Sequence, residues 1–394
     1  MAEQELSFNK NDVDSQSELQ DKISSLCDLM ESIYEDGNYP ELIVKRSWSK
    51  HNPVITGEMA KPRAYRWYLY RELRKLAEKG ADIQIRPSRP CLELNDPKLL
   101  ENIDEANWDF RKKKLFLFSP ERIDLSLDRL EHYTGTKAED FQRYILFTNY
   151  DMHVSVFKQK FPDCVKPSRR GVQMPAYHHK EEDNLGISLV NIGVGPSNAK
   201  TITDHVAVLR PDGMVMVGHC GGLRNHQRIG DYVLPISYMR ADGVLDDALP
   251  LNVPITPTFL MNIYLQEEMD RHSMPYRFGT VYTTSNRNWE FAQSRTLNGI
   301  HTSRSIAIDM ESATIATNGF RYRIPNATLL CVSDKPLHGK PKLSKPAQQF
   351  YENSKEMHLG MVINALEMIK KKYPDGMPNA SIRAANEPLM GGFE

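Results

Sequence analysis

The chain has 394 residues, 40% of them hydrophobic and 26% charged, with 50 basic against 51 acidic side chains and a formal net charge of -1. That balance suits a soluble globular protein of about two domains, and it gives the whole molecule no field to draw it onto nucleic acid or an anionic membrane. Five cysteines, Cys27, Cys91, Cys164, Cys220 and Cys331, are odd in number and form no C-x-x-C pair, which speaks against a disulfide scaffold or a zinc site and for a reducing compartment. No window holds the roughly 18 to 20 apolar residues of a spanning helix, and the start "MAEQELSFNKND" lacks the regions of a signal peptide. The expectation is a cytoplasmic protein with no membrane partner.

In chain order, apolar residues from Ser17 to Tyr34 recur at spacings of three and four and predict a helix. A second helix is expected in "KPRAYRWYLYRELRKLAEKG", closed by Gly80, followed by the strand-like "ADIQIRPSRP". "SPERIDLSLDRLEHYTG" opens with Ser119 as N-cap and Pro120 as first helical residue. These pieces read as an N-terminal domain over 1–137. From Ala138 the texture changes. "RYILFTN", "GISLVNIGVG", "GMVMVGH", "YVLPIS", "FGTVYTT", "SIAIDM" and "ATLLCVSD" are seven strand candidates, alternating with helices near 197–209, 257–272, 287–296, 311–317 and 345–373. The alternation predicts an α/β domain over 138–373 with a covered, largely parallel sheet, and a tail over 374–394.

Several motifs could carry chemistry. Gly193 and Gly195 end a strand ahead of Ser197, where backbone N–H groups either cradle an anion or merely make a tight turn. The dinucleotide fingerprint fails, because Asn198 stands at the third glycine position. Gly218, Cys220, Gly221 and Gly222 are small enough to let a ligand approach the backbone. His219 and Cys220 are adjacent on an extended chain, so they point apart and make a poor nucleophile–base pair; His178 and His179 fail as metal ligands for the same reason, and no metal is expected. Two strands end in carboxylates, Glu311 after "AIDM" and Asp334 after "LLCVS". The ends of parallel strands are where open α/β sheets bind ligands, and two carboxyls in unlike surroundings can serve as one proton donor and one fixed anion. The basic, aromatic-rich stretch Lys61 to Gly80 and the run Arg111 to Lys114 read either as solvated faces or as nucleic-acid contacts.

Taken in order, "VNIGVGPSNAKT", "GHCGGLR", "TVYTTSNRNWE", "IDMESATIA" and "LLCVSDKPLHG", with "HYTGT" and "LFTNY" upstream, resemble the purine nucleoside phosphorylase and nucleosidase superfamily, and more narrowly its bacterial AMP nucleosidase branch. The likeness is dense from Pro120 to Ala365. It implies a nucleoside-phosphorylase-like three-layer core around a mixed, partly closed sheet, a smaller N-terminal α+β regulatory domain, and assembly as a homohexamer. It also implies hydrolysis of the N-glycosidic bond of AMP to adenine and ribose 5-phosphate, without a cofactor, with ATP and phosphate as possible allosteric ligands. By the same resemblance Asp334 matches the general acid that serves the purine N7, and Glu311 the carboxylate that holds the ribose hydroxyls. Met310 matches the residue under the sugar, and Asn288, Trp289 and Glu290 fall where the base pocket is lined. Gly193, Gly195, His219, Cys220 and Gly221 match the anion and sugar walls. Asn149 lies in the loop where related hydrolases supply an acid, and Asp151 is the acid there. Arg224 and Lys335, with His338 and Lys340, are candidates for the 5′-phosphate. Phosphorylases commonly carry Ser or Thr where His219 stands, which favours hydrolysis. The alternatives are a purine nucleoside phosphorylase or other nucleosidase, and a nucleotide-sensing or nucleic-acid-binding protein.

Overall fold

The computed structural model describes residues 6–8, 15–50, 53–101, 103, 118–341 and 344–378. The run Arg111 to Lys114 and most of the tail lie outside them. The chain divides into two compact units, one up to Leu130 that also takes in Val208–Arg210, and one of Glu131–Ala207 and Pro211 onward.

In the first unit α1 (Gln16–Glu35) is capped by Ser15, whose hydroxyl accepts from the Glu18 N–H at 3.2 Å. It buries Ile23, Leu26, Cys27, Met30 and Ile33, the stripe its spacing predicts. Four antiparallel strands lie in the order β1 (Leu6–Phe8), β4 (Asp82–Pro90), β2 (Asn38–Lys45), β3 (Val54–Glu58), and α1 packs on β2 and β4. Pro87 and Pro90 lie beyond the stretch Ile83–Ile85 that pairs with β1, so their missing N–H groups break no ladder on that side. Helix α2 (Arg66–Glu78) buries Leu69, Leu73 and Ala77. Its basic residues are engaged within the unit: Arg66 with Glu31 at 2.6 Å and Asp28 at 2.8 Å, Lys75 with Glu72 at 3.1 Å, Arg74 with Glu78 at 3.6 Å, and Arg71 over the Trp67 ring. The short α3 (Pro97–Glu101) follows, and α4 (Pro120–Thr134) carries the chain into the second unit.

The second unit holds an eight-stranded sheet. Its strands are β5 (Tyr144–Thr148), β6 (Ala176–His179), β7 (Ile187–Asn191), β8 (Gly213–Gly222), β9 (Tyr232–Ala241), β10 (Tyr276–Thr284), β11 (Ala307–Asp309) and β12 (Asn326–Asp334). All seven runs singled out in the sequence are strands, and β6 joins them. The order is β11-β10-β9-β12-β8-β5-β7-β6, and an antiparallel pairing of β11 with β8 closes five strands into a ring. β9 with β12 and β6 with β7 are also antiparallel, so the sheet is mixed and partly closed, where alternation alone predicted a largely parallel one. The helices are α5 (Asp151–Lys160), α6 (Pro196–Val206), α7 (Phe259–Arg271), α8 (Gln293–Ser303), α9 (Ser312–Tyr322) and α10 (Ser344–Lys372). Among the described residues no helix is long and apolar enough to cross a membrane.

Central β12 shows why its sequence reads as one apolar run. Leu329 and Cys331 join a core with Val215 and Val217 of β8 and with α5, α7 and α10, through Phe157, Leu265 and Leu366 among others. Leu330 and Val332 face the other way, against Cys220, Val233 and Val281 and against Ala313 and Ala316 of α9. A strand covered on both faces has no polar side, so its alternation is silent. Helix α5 went unpredicted because its apolar content is low; α8 begins six residues later than expected, after a 3-10 turn at Trp289–Ala292.

Candidate active site

The ends of β5, β7, β8, β11 and β12 bring most of the singled-out residues to one region. Glu311 follows β11 and precedes α9, and it is 3% exposed. One carboxylate oxygen accepts from the Gly195 N–H at 2.6 Å, and the other faces Asn149 Nδ2 at 3.4 Å. Gly195, at φ +118, aims its N–H there through a backbone shape that L side chains rarely adopt. The start of α6 therefore spends its Gly195 N–H on the Glu311 carboxyl. The Gly193 N–H is likewise spent, on Asn191 Oδ1 at 3.1 Å.

Asp309, two residues before Glu311, accepts from Thr283 Oγ1 at 2.6 Å, from the Ser312 N–H at 2.9 Å and from the Ser312 hydroxyl. It thereby caps α9 from the strand side. Burial pushes both acids up, and the Asp309 charge adds to the effect on Glu311, which reaches about 8 against the Gly195 and Asn149 donors. At neutral pH the site favours a protonated Glu311. The expectation that Glu311 is held ionised is met only when a ligand supplies hydroxyl donors or positive charge beside it.

Asp334 ends β12 at a bulge: Val332 pairs with Cys220 and Asp334 with Gly221, leaving Ser333 as the extra residue. Ser333 Oγ donates to Asp334 Oδ1 at 2.6 Å. Gly221 lets these strands approach closely: an added Cβ would lie 3.0 Å from Ile308 Cγ2, which would have to give way, and in ordinary contact with Asp334 Oδ2 at 3.6 Å. Ile308 belongs to β11 and leads into Asp309 and Glu311, so the end of β8 stands between the two strand-end acids. Trp289 is buried with Leu223, Tyr282, Ile300 and Ile308, which brings it to the same strand end. Asn288 is exposed and donates its N–H to Asn286, while Glu290 and Met310 are half-buried.

The other candidates make contacts of their own. Lys335 does not face water: it is buried, and its ammonium donates to the Asn225 carbonyl at 2.8 Å, tying down the loop after β8. In that loop the Arg224 N–H donates to Gln227 Oε1. Asp151 turns away, exposed, to accept from Asn191 Nδ2 at 2.8 Å. Cys220 and His219 do point apart, Cys220 into the α9 side and His219 onto a group of rings. Those rings are ones the sequence did not suggest: Tyr150, His153 and His358, with centroids 4.7, 5.8 and 5.3 Å from that of His219. His178 is a core residue between Ser188 and Thr136 hydroxyls. Among the described residues no set of three His, Cys, Asp or Glu side chains is placed to hold a metal ion.

This fold, with strand-end acids around a glycine-rich β8, is that of the phosphorylase superfamily, whose family model matches residues 155–367; the chain belongs to that family. Similar proteins include an AMP nucleosidase of Escherichia coli K12, 44% identical over 312 residues that cover 69% of this chain and 64% of that protein. The chain thus spans somewhat under two thirds of that relative's length. An AMP nucleosidase from Bacteroides thetaiotaomicron VPI-5482 superposes with a TM-score of 0.55 at 30% identity, covering 64% of this chain and 99% of that one. A purine nucleoside phosphorylase from Toxoplasma gondii in complex with immucillin-H, at 16% identity and a TM-score of 0.52 over 61% of this chain and 98% of its own, shares the fold.

Proposed function

We propose that the chain is an N-glycosyl hydrolase that converts AMP and water to adenine and ribose 5-phosphate. The observation that carries this reading is the pair of buried acids, Asp334 and Glu311, at strand ends on either side of the β8 terminus. The 44% identity to proteins named AMP nucleosidase supports the choice of substrate.

An adenine anion leaves poorly, so cleavage of the bond from C1′ to N9 needs a proton delivered to the ring as positive charge develops on the sugar. Asp334 delivers it at N7. A positioned acid is worth about 10² to 10⁴ in rate, or roughly 3 to 5 kcal/mol of barrier. Glu311 accepts from the ribose 2′- and 3′-hydroxyls, which favour its ionised form, and its charge then offsets the developing oxocarbenium. Met310 lies under the sugar, and Trp289 with Asn288 and Glu290 bounds the base. Gly193, Gly195, Gly221 and Cys220 form walls, and Arg224 supplies a cation for the 5′-phosphate. Assembly as a hexamer, a cytoplasmic setting and ATP or phosphate acting on the first unit belong to the same proposal; no cofactor is required.

The test is chromatography of the products from AMP, adenosine, 5′-methylthioadenosine and GMP, each with and without ATP. Free adenine from AMP in preference to the others is the expected result. Adenine from the nucleosides alone would refute the nucleotide preference.

A further inference from the structure

Two helices set out from Glu311. α6 begins after Gly195 and α9 after Glu311, each has 11 residues, and the Gly195 N–H meets the Glu311 carboxyl at 2.6 Å. At about 1.5 Å of rise per residue, the last turns of both helices lie roughly 10 to 16 Å from that contact. There the helices meet again. Asp204 of α6 is 9% exposed, and its Oδ1 accepts from Asn318 Nδ2 and from the Tyr322 hydroxyl of α9, each at 2.9 Å. Asn318 Nδ2 also donates to Thr203 Oγ1 at 2.8 Å, and Arg321 donates to Asn318 Oδ1 at 2.8 Å and lies 3.8 Å from Asp204. The other carboxylate oxygen of Asp204 stays within α6, accepting from Lys200 Nζ at 2.6 Å.

Of the two helices, α9 is fixed by the core. Its Ala313 and Ala316 pack with Cys220, Val233 and Val332, Thr314 donates to Asp242, and the Ala313 N–H donates to Thr283 Oγ1 at 3.1 Å. α6 buries smaller groups, Ala199 and Thr203 among them. Small side chains make shallow ridges, so the position of such a helix along its axis depends more on its polar ties. A slide of about 1 Å would stretch the Gly195 contact past hydrogen-bonding range. Without the Asp204 carboxylate, two buried donors of α9 would lose an acceptor, a cost the helices relieve by shifting against each other.

We propose that Asp204 is a positioning residue for Glu311: by tying the far end of α6 to α9, it holds the Gly195 N–H on the Glu311 carboxyl. This rests on reading Glu311 as the acid that grips the ribose. The groups that face Glu311 are Asp309 from the strand side, Asn149 and the Gly195 N–H. The Asp309 charge opposes ionisation and the two donors favour it, so loosening the Gly195 contact makes the charged form harder to reach. kcat/KM then suffers on the acid side, where Glu311 must lose its proton to accept from the ribose hydroxyls.

The experiment compares Asp204→Ala with Asp204→Asn in two readouts. One is the pH profile of kcat/KM for adenine release from AMP; the other is the titration of the Glu311 carboxyl by ¹³C NMR without substrate, assigned by its loss in Glu311→Gln. In Asp204→Ala the acid limb and the carboxyl titration are both expected to move up by about one pH unit, which lowers kcat/KM on that limb about tenfold. Asp204→Asn keeps the Oδ1 acceptor and is expected to bring the profile back to within about threefold of wild type. Lys200→Met removes only the tie inside α6 and is expected to leave both readouts in place. A folded Asp204→Ala protein with neither readout moved overturns the proposal, as does an equal shift in Asp204→Asn or Lys200→Met. Tyr322→Phe, which keeps the buried ring and removes one donor to Asp204, gives the same readouts if Asp204→Ala does not fold. If the wild type releases no adenine from AMP, the nucleotide reading falls, and the carboxyl titration alone decides the role of Asp204.

Discussion

Replacing Glu311 by Gln should remove a pH dependence of stability that the native pair imposes. Burial first, and the neighbouring Asp309 charge second, raise Glu311 from the ordinary 4.5 to about 8. The folded protein then holds a proton that the unfolded chain has released, so its stabilising effect is complete below about 4.5 and is lost as pH climbs to about 8. A difference of about 3.5 pH units, taken as 8 minus 4.5, corresponds to on the order of 5 kcal/mol. Much of it falls between pH 5 and 8, with a slope approaching about 1.4 kcal/mol per pH unit. Gln keeps the size and the neutral state but cannot ionise. Urea unfolding of the second unit at pH 5, 6, 7 and 8 reads the difference between wild type and variant, which cancels the other titrating groups. The difference should shift by several kcal/mol toward the variant as pH rises. Parallel curves across that range would show that Glu311 is ionised in the folded protein and would refute the account of its burial beside the Asp309 charge.

Asp334→Asn should lower kcat on AMP by about 10² or more with little change in KM, measured by adenine release, because the proton donor is lost and the shape is kept. Asp151→Ala should leave the rate within about twofold, since its carboxylate is exposed and turned to Asn191; a large loss would return it to the role of water-orienting acid. Gly195→Ala meets open space but a φ of +118, so the strained backbone should cost about 1–3 kcal/mol in urea unfolding and weaken the N–H contact to Glu311.

Much of the second unit was legible because its strands are β-branched runs separated by turn residues, and β12 could be read to within one residue of its end. The mixed direction of the sheet was not legible from alternation, because the reversal at β11 depends on its pairing with β8 across about 85 residues of chain. The two strand-end acids could be found in the sequence as Asp334 and Glu311. Asp309 was visible in the same run, yet nothing local says that its carboxylate would turn back to Ser312, or that burial first and the Asp309 charge second would raise Glu311. Tyr150 and His153 lie at i+1 and i+4 from Asn149, but His358 comes from a helix over 200 residues on, and only packing brings them together. Lys335 looked like a phosphate ligand; its burial against the Asn225 carbonyl follows from where the loop after β8 runs, which no spacing reveals.

The closed ring has a consequence for how the protein is made. β8 is buried along its whole length and pairs with β5 before it and with β11 and β12 long after it. Until residues 307–334 have left the ribosome, one edge of an apolar ten-residue strand has no partner. Non-local pairing of this kind folds slowly and leaves edges on which other nascent chains can add. A chain cut short before Asn326 therefore loses more than an acid: it leaves the β12 edge of β8 without its partner, an edge on which other chains can add.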